Sequence, residues 1–290
     1  MTESVDEDDD DTMLRFIEVP LTGGRTEGKV GSGVVSRWSE MPPVGRPSNG
    51  TLSDCCLQRL RPGDIRMGKD EAVNHKTPID LANWPRREHF DHYRTRVPCT
   101  YSLTVQLDVT RLVAALRATG RKNYPAQIWA IASVVNKHDE FRMSVDEEGT
   151  PSVWDVVHPS FTVFNPDRET FAAVWANFDP DFSRFYEQAV AVLSTYRTAT
   201  AMWPQSDMPP NVFDISSLPW ASFSSFELNI AHGHDHYLPI FTLGKYVERE
   251  GQVMLPLVLQ IHHASADGFH AARFINELQD VFDDSTNWLT

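Results

Sequence analysis

The 290-residue sequence has few cysteines: Cys55 and Cys56 are adjacent, and Cys99 stands alone. Three thiols in this arrangement match neither a disulfide framework nor a CxxC metal site. The sequence also has no surplus of positive charge, because 26 Lys and Arg residues face 40 Asp and Glu residues, for a formal net charge of -14. Binding to a nucleic-acid backbone requires a basic surface. We therefore expect a reduced, cytoplasmic protein without a nucleic-acid partner.

Long apolar runs are missing as well. No stretch reaches about eighteen consecutive apolar residues, the length at which a membrane-spanning helix becomes a candidate. The N-terminus opens on an acidic run, whereas a secretory signal needs positive charge followed by an apolar segment. The sequence therefore predicts neither membrane insertion nor export.

The first 76 residues differ in composition from the rest. They hold nine of the fifteen glycines, and seven of the nine residues from Glu3 to Asp11 are acidic. Such a segment buries too little apolar surface to offset the entropy of ordering. We predict a disordered acidic, Gly- and Pro-rich extension over residues 1–76, with at most a short helix at residues 55–60, and a folded domain over residues 77–290. The extension is interpreted as a solvated tail or as a partner-binding arm.

The folded domain alternates between the two hydrophobic periods that are typical of strands and of helices. Gly120 is a helix stop, and Pro125 suits the first turn of a helix. Strands are predicted at residues 103–109, 152–157, 161–164, 220–230, 238–248 and 253–263. Helices are predicted at residues 110–119, 124–138, 180–198 and 268–282. The pattern indicates an α/β fold with a substantial sheet.

Residues 253–261 form an almost unbroken apolar run, which predicts a strand buried on both faces. The run ends in His262 and His263, and Asp267 and Gly268 follow at the start of the last predicted helix. A histidine has an ordinary pKa of roughly 6.5 and accepts a proton readily near neutral pH. The spacing fits a general base supported by an aspartate. It also fits a buried structural histidine beside a helix-capping aspartate.

A second histidine group, residues 232–236, reads His-Gly-His-Asp-His. Three imidazoles at alternate positions could bind a divalent metal from one face of a strand. The glycine and the flanking strands favour a solvated hairpin turn instead, so we predict no metal site.

Residues 260–279, which contain the HHxxxDG motif, resemble the signature of the chloramphenicol acetyltransferases. The motif alone is shared with dihydrolipoyl and carnitine acyltransferases. The resemblance continues in the same order through residues 84–90, 140–143, 154–159, 161–164, 219–220 and 242–246. It covers residues 77–281, and residues 1–76 have no counterpart in it.

The resemblance implies a two-layer α/β sandwich with a mixed β-sheet, assembled as a homotrimer with active sites between subunits. It implies acetyl transfer from acetyl-CoA to the primary hydroxyl of chloramphenicol, and thereby antibiotic resistance. His263 matches the general base, with His262 as a supporting neighbour. Ser216 matches the serine that donates to the oxyanion, and Asp267 and Arg86 match a buried ion pair.

Further residues match the substrate sites of the family. The cofactor positions are Tyr246 and Trp220. The chloramphenicol positions are Tyr93, Cys99, Tyr101, Phe171, Ala173, Phe226, Leu228, Ile230 and Thr242. No prosthetic group is expected. The alternatives are a CoA-dependent acyltransferase acting on another hydroxyl or thiol, and a non-catalytic small-molecule binder.

Four positions depart from the family pattern. Asp214 stands where an asparagine is expected, two residues before Ser216. Tyr101 stands where phenylalanine is frequent, and its extra hydroxyl needs a partner. Ser265 and Ala266 replace Val-Cys inside the motif. The first departure could weaken the donor network around Ser216, and the others leave the base untouched.

Overall fold

A computed structural model describes residues 75–230 and 235–289. The predicted extension therefore lies outside the described residues, apart from His75 and Lys76, and so does the short helix predicted at residues 55–60. The first strand already begins at Lys76, one residue before the expected start of the folded domain. In the described ranges, no helix is long and apolar enough to cross a membrane.

The described residues form ten strands and six α-helices. The strands are β1 Lys76–Pro78, β2 Thr100–Asp108, β3 Met143–Val145, β4 Pro151–Trp154, β5 His158–Asn165, β6 Thr170–Trp175, β7 Val212–Leu218, β8 Ile240–Gly244, β9 Val247–Arg249 and β10 Gln252–His262. The helices are α1 Arg87–Asp91, α2 Thr110–Thr119, α3 Asn123–Val135, α4 Phe182–Thr195, α5 Gly268–Asp283 and α6 Ser285–Trp288. A π-helical turn, His92–Arg96, follows α1, and a 3-10 turn, Asp139–Phe141, precedes β3.

The main sheet has the strand order β2-β10-β8-β7-β5-β6, and β9 pairs with one end of β10. The β5-β7 and β7-β8 pairs are parallel, and the others are antiparallel. A small antiparallel sheet, β1-β4-β3, lies apart from it. The predicted α/β fold with a mixed sheet is confirmed.

Helices α2 to α5 form one layer against one face of the main sheet. Phe241 on β8 lies against Phe213 on β7 and Phe274 on α5, with ring centroids 5.9 and 5.1 Å apart. All three side chains are fully buried, and each such burial is worth about 1.5–3 kcal/mol. Because side chains alternate along a strand, Thr242 points to the opposite face. None of the described helices α2 to α5 packs on that opposite side, which we call the helix-free face.

Most predicted elements match the observed ones to within a few residues. Helix α2 has the predicted bounds and ends at Gly120, whose φ of 66° is accessible to glycine without strain. Helix α3 stops at Val135, three residues before the predicted end, and α4 is shorter than predicted at both ends.

The strand predicted at residues 220–230 is wrong. This segment pairs with no strand in the structure. Its backbone instead forms hydrogen bonds with side chains of the main sheet. The Gln106 side chain donates to the Phe223 carbonyl at 3.2 Å. The Gln260 amide accepts from the Leu228 N–H at 3.2 Å and donates to the Leu228 carbonyl at 2.9 Å. The segment is thus held by two glutamine side chains on the helix-free face, and not by strand pairing as the apolar pattern suggested.

Candidate active site

His263 lies directly after the last residue of β10. Its backbone N–H donates to the Cys99 carbonyl at 2.9 Å, which continues the β10-β2 ladder by one residue. The imidazole is stacked on the Tyr93 ring, with centroids 3.7 Å apart and planes 10° apart. The Tyr101 ring approaches at 5.2 Å and an angle of 61°. Two aromatic rings thus fix the plane of the imidazole.

The two nitrogens of the His263 ring differ in access. Nδ1 is buried and has no hydrogen-bond partner among the described residues. Nε2 is not buried, although the His263 residue as a whole is half-buried. Nε2 is therefore the nitrogen that a substrate can reach.

His262 has a different environment. Its side chain is buried, and its Nδ1 accepts a hydrogen bond from the Ala264 N–H at 3.0 Å. The Tyr237 ring packs against it, with centroids 4.7 Å apart. His262 is therefore part of the core beneath the turn, and its Nδ1 serves as a hydrogen-bond acceptor for the turn backbone.

Asp267 caps α5 and also pairs with Arg86. Its Oδ1 accepts from the Phe269 N–H at 3.2 Å. Its Oδ2 lies 3.6 Å from Nη2 of Arg86. Partial burial acts to raise the pKa of the Asp267 carboxyl, but His270, Arg86 and the Phe269 N–H outweigh it and hold the pKa below its ordinary value.

Arg86 also holds the backbone of the histidine turn. Its guanidinium donates to the Ser265 carbonyl, to the Ala264 carbonyl at 3.3 Å and to the His263 carbonyl at 3.5 Å. The side chain is 13% exposed, and burial lowers its pKa although Asp267 and Glu140 act in the opposite direction. One cation therefore contacts three consecutive carbonyls of the turn that presents the imidazole.

Sequence reasoning did not predict the charged chain behind this turn. The His270 ring lies 2.8 Å from Asp267 Oδ1 and 3.3 Å from Glu140 Oε1. Arg273 then binds Glu140 Oε2 at 3.0 Å. Asp267 and His270 are three residues apart on one helix turn, and this spacing is the only feature of the sequence that indicates their contact. The contact with Glu140 depends on the tertiary fold.

Ser216 lies on β7, opposite Thr242 on β8. Its hydroxyl makes no side-chain hydrogen bond within the described part of the chain. Ile215, its neighbour along the strand, is buried, and Thr242 points away from the helix layer. Ser216 therefore lies on the helix-free face, and no described side chain occupies its hydroxyl.

The structure does not bring His263 and Ser216 together within one chain. Thr242, the neighbour of Ser216, pairs with Val258 on β10, and His263 lies five residues further along. At about 3.3 Å per residue along a strand and about 4.8 Å between strands, the two Cα atoms are about 19 Å apart. This separation is longer than the two side chains can span around one reacting carbon.

The predicted chloramphenicol residues fall into two groups. Tyr93, Cys99 and Tyr101 surround His263. Thr242 pairs with Ser216, and Ala173 lies on β6, two strands away from Ser216. The remaining residues are Phe171 at the sheet edge and the segment residues Phe226, Leu228 and Ile230. Phe171, Leu228 and Ile230 are exposed by 50%, 44% and 41%. They form apolar surface that residues 75–230 and 235–289 do not cover.

The two predicted cofactor residues each lie two residues beyond the carboxyl end of a strand, on the neighbouring parallel strands β7 and β8. Trp220 follows β7, and its half-exposed ring lies 4.7 Å from that of Phe164. Tyr246 follows β8, and its hydroxyl accepts from Gln127 at 2.6 Å and donates to Asn123 at 3.3 Å. Burial raises the pKa of the Tyr246 hydroxyl. The Tyr246 hydroxyl is therefore already hydrogen-bonded to two side chains of α3, whereas the half-exposed Trp220 ring is accessible to a ligand.

No group of metal-ligating side chains occurs within residues 75–230 and 235–289. His232 and His234 of the second histidine group lie outside these ranges. The prediction that this group binds no metal is therefore not tested.

A sequence model described as Chloramphenicol acetyltransferase matches residues 73–279. A chloramphenicol acetyltransferase of Streptomyces acrimycini is 58% identical over 220 residues, which cover 76% of this chain and 100% of the relative. A chloramphenicol acetyltransferase of Vibrio anguillarum is 43% identical over 210 residues, which cover 72% and 95%. The resemblance identified from the motifs is confirmed.

Solved structures are similar in fold. One titled chloramphenicol acetyltransferase has a TM-score of 0.63 at 22% identity and covers 72% of this chain and 100% of its own. The dihydrolipoamide acetyltransferase of Azotobacter vinelandii has a TM-score of 0.54 at 22% identity, with 81% and 100% covered. Since 207 residues of continuous family signature and a full-length relative at 58% identity agree with this fold, the chain belongs to the chloramphenicol acetyltransferase family.

Proposed function

We propose that this protein transfers the acetyl group of acetyl-CoA to the primary hydroxyl of chloramphenicol and so inactivates the antibiotic. The observation that carries the proposal is the 58% identity to a relative of that name over the relative's whole length. Acetyl-CoA is the second substrate, and no metal or prosthetic group takes part. Acetylation in the cytoplasm, where acetyl-CoA is made, would give the host resistance.

His263 is the general base of this reaction. Nδ1 of its ring is occluded and Nε2 is not, so Nε2 is the nitrogen that accepts the hydroxyl proton of the antibiotic. The alcohol oxygen attacks the thioester carbon as its proton moves to Nε2. When the tetrahedral intermediate collapses, the C–S bond breaks and the imidazolium returns the proton to the CoA thiolate. Such acid–base help is worth about 10² to 10⁴ in rate.

Ser216 donates its hydroxyl to the oxyanion of the tetrahedral intermediate. The absence of a side-chain partner for this hydroxyl among the described residues supports the role, since the donor is not already occupied. Loss of one such donor typically costs about 3 kcal/mol of transition-state stabilisation. Asp267 and Arg86 act on His263 through the turn, because Arg86 contacts its carbonyl.

The active site is formed between two copies of the chain in a homotrimer. The separation of about 19 Å between His263 and Ser216 in one chain supports this arrangement, because both groups must reach one intermediate. The exposed Phe171, Leu228 and Ile230 supply apolar surface for the contact. In the trimer, His263 of one subunit faces the Ser216 and Thr242 of its neighbour.

A thiol-release assay tests the function. Acetyl-CoA with chloramphenicol should release free CoA, and a 3-deoxy analogue without the primary hydroxyl should release none. His263→Ala should lower the rate by at least about 10²-fold. Ser216→Ala should lower kcat by about 10²- to 10³-fold, whereas Ser217→Ala, one residue along the same strand and on the opposite face, should retain the parental rate.

The two other functions give different results in the same assay. An acyltransferase with another acceptor would release CoA with that acceptor and not with chloramphenicol. A binder without catalysis would bind chloramphenicol in a calorimeter and release no CoA at all. Either result would contradict the proposal.

A further inference from the structure

Tyr93, whose ring is stacked on the imidazole of His263, lies on the π-helical turn His92–Arg96. The Val97 N–H donates to the His92 carbonyl, five residues earlier, at 3.0 Å and closes this turn. Single π-helical turns are rare and occur frequently at functional sites. The position of the Tyr93 ring therefore depends on the contacts that hold this turn in place.

Arg94, the next residue of the turn, extends to the hairpin that joins β3 and β4. Gly149 lies in this hairpin with a φ of 86°, in the left-handed region that favours glycine. A Cβ atom on Gly149 would lie 2.8 Å from Nη1 and 2.9 Å from Nη2 of Arg94. Ordinary van der Waals contact begins at about 3.4 Å, so the Arg94 guanidinium occupies the space that a side chain at position 149 would need.

The hairpin turn that carries Gly149 is held by its own hydrogen bonds. The Gly149 N–H donates to the Asp146 carbonyl at 3.0 Å, and the Asp146 N–H donates to the Thr150 carbonyl at 3.2 Å. The Thr150 N–H donates to the Asp146 carboxylate at 2.6 Å. The turn therefore offers a fixed surface against which the guanidinium packs.

The Arg94 side chain also contacts the core beneath the histidine turn. Its Nε is buried and has no hydrogen-bond partner among the described residues. Its guanidinium lies beside the Tyr237 hydroxyl and opposes the rise in pKa that burial imposes on that hydroxyl. The Tyr237 ring is buried and packs against His262. A displacement of the guanidinium is thus resisted by buried groups and shifts the turn that carries Tyr93.

A shared apolar cluster connects the hairpin to Tyr93 a second time. Tyr93 and Val145, the last residue of β3, pack against the same buried cluster. The cluster consists of Phe90, Met143, Tyr237 and Ala264. Ala264 directly follows His263 in the chain, so the hairpin, the π-helical turn and the histidine turn share one packed core.

We infer that Arg94 and Gly149 are positioning residues for the general base. The hairpin turn fixes Arg94, and Arg94 fixes the π-helical turn that holds the Tyr93 ring flat against His263. This inference rests on the proposed function, in which Nε2 of His263 has to be aimed at the substrate hydroxyl. Arg94 and Gly149 lie outside the sequence blocks that carry the family resemblance and outside the predicted substrate positions.

The size of the effect follows from the geometry at Gly149. To accept a Cβ atom there, the guanidinium has to retreat by about 0.6 Å, the difference between 2.8 Å and an ordinary contact of 3.4 Å. A misplacement of about 1 Å can cost about 10²-fold in rate. Because the arginine side chain absorbs part of the shift, we expect Gly149→Ala to lower kcat by about three- to tenfold.

The experiment measures kcat and urea unfolding for Gly149→Ala and for a matched control, Gly251→Ala. Gly251 has a φ of 83°, and a Cβ atom there would meet no atom of the described residues within 4 Å. Both substitutions place an L side chain in the left-handed region, which should raise the unfolding equilibrium constant by about five- to thirtyfold in each variant. Only Gly149→Ala should lose kcat, so the comparison separates positioning of the base from a loss of stability.

A double-variant cycle tests whether the effect passes through Arg94. Arg94→Gln keeps most of the aliphatic stem and ends before the position of the two Nη atoms, and it should lower kcat by about three- to tenfold. Gly149→Ala should cause no further loss of kcat in the Arg94→Gln background, because the group that it displaces is gone. KM for acetyl-CoA should stay within about twofold in all variants.

Three results would overturn the inference while the parent remains active. They are a Gly149→Ala variant with the kcat of Gly251→Ala, an Arg94→Gln variant with the parental kcat, and a double variant in which the two losses multiply. A parent that releases no CoA would instead overturn the proposed function, and the inference with it.

Discussion

Two inactive variants should restore each other if the site is shared between chains. His263→Ala removes the base and keeps Ser216, whereas Ser216→Ala removes the oxyanion donor and keeps His263. In one chain these groups are about 19 Å apart, and the proposed shared site takes the base of one subunit and the serine of its neighbour. A mixed trimer can combine the intact base of one variant with the intact serine of the other.

The expected recovery follows from counting sites. After random reassociation of equal amounts, a site draws its base from the Ser216→Ala chain with a probability of about one half and its serine from the His263→Ala chain with the same probability. About a quarter of the sites are then complete. Since each variant alone should retain about 1% of the parental rate or less, a return to about 25% is readily measured.

The assay follows CoA thiol release after the purified variants are dissociated in denaturant, mixed and diluted together. Each variant refolded alone is the control for refolding, and the parent refolded alone gives the reference rate. No gain above the separate variants, in a mixture shown by mass spectrometry to contain hybrid trimers, would refute the shared site. It would also refute the reasoning from strand register on which the shared site depends.

Two further predictions concern the supports of the site. Asp267→Asn should keep the cap of α5 and lose the pairing with Arg86, lowering the free energy of unfolding by about 1 kcal/mol at pH 7 because the pair is partly exposed. The pKa of this carboxyl is lowered in the folded chain, so its contribution is complete above the ordinary value of about 3.9 and declines as pH falls through the lower folded-state pKa. Urea unfolding should therefore show a smaller difference between the variant and the parent at pH 3 than at pH 7. Gln260→Leu should release the segment at Leu228 by removing two hydrogen bonds worth about 1 kcal/mol each, and raise KM for chloramphenicol by about tenfold with a smaller change in kcat. An unchanged KM would show that this segment does not contribute to the antibiotic pocket.

The sequence predicted the elements that carry a continuous hydrophobic signal. The apolar run of β10 and the amphipathic α5 were found within one residue at each end, because burial alone determines both. The segment at residues 220–230 was assigned as a strand because its apolar residues resemble one. Its actual partners are the side chains of Gln106 and Gln260, and no local pattern encodes those contacts.

The candidate site was likewise predicted only where a local sequence pattern or motif exists. The resemblance supplied His263, Ser216, Asp267 and Arg86, and the structure gives the last two their contact. The distance between His263 and Ser216 requires the register of three strands, which motif spacing does not contain. The His270–Glu140 contact joins residues 130 positions apart and was invisible for the same reason.

The hydrogen bonds from Arg86 to the histidine turn have a consequence for folding during biosynthesis. Arg86 bonds to carbonyls that lie 177 to 179 residues later in the chain. Closing a loop of this length costs about 4–5 kcal/mol of chain entropy, so the contact forms only once the intervening sheet has assembled. A nascent polypeptide on the ribosome therefore stays inert until translation has passed residue 265, and a transcript truncated before that codon yields no enzyme.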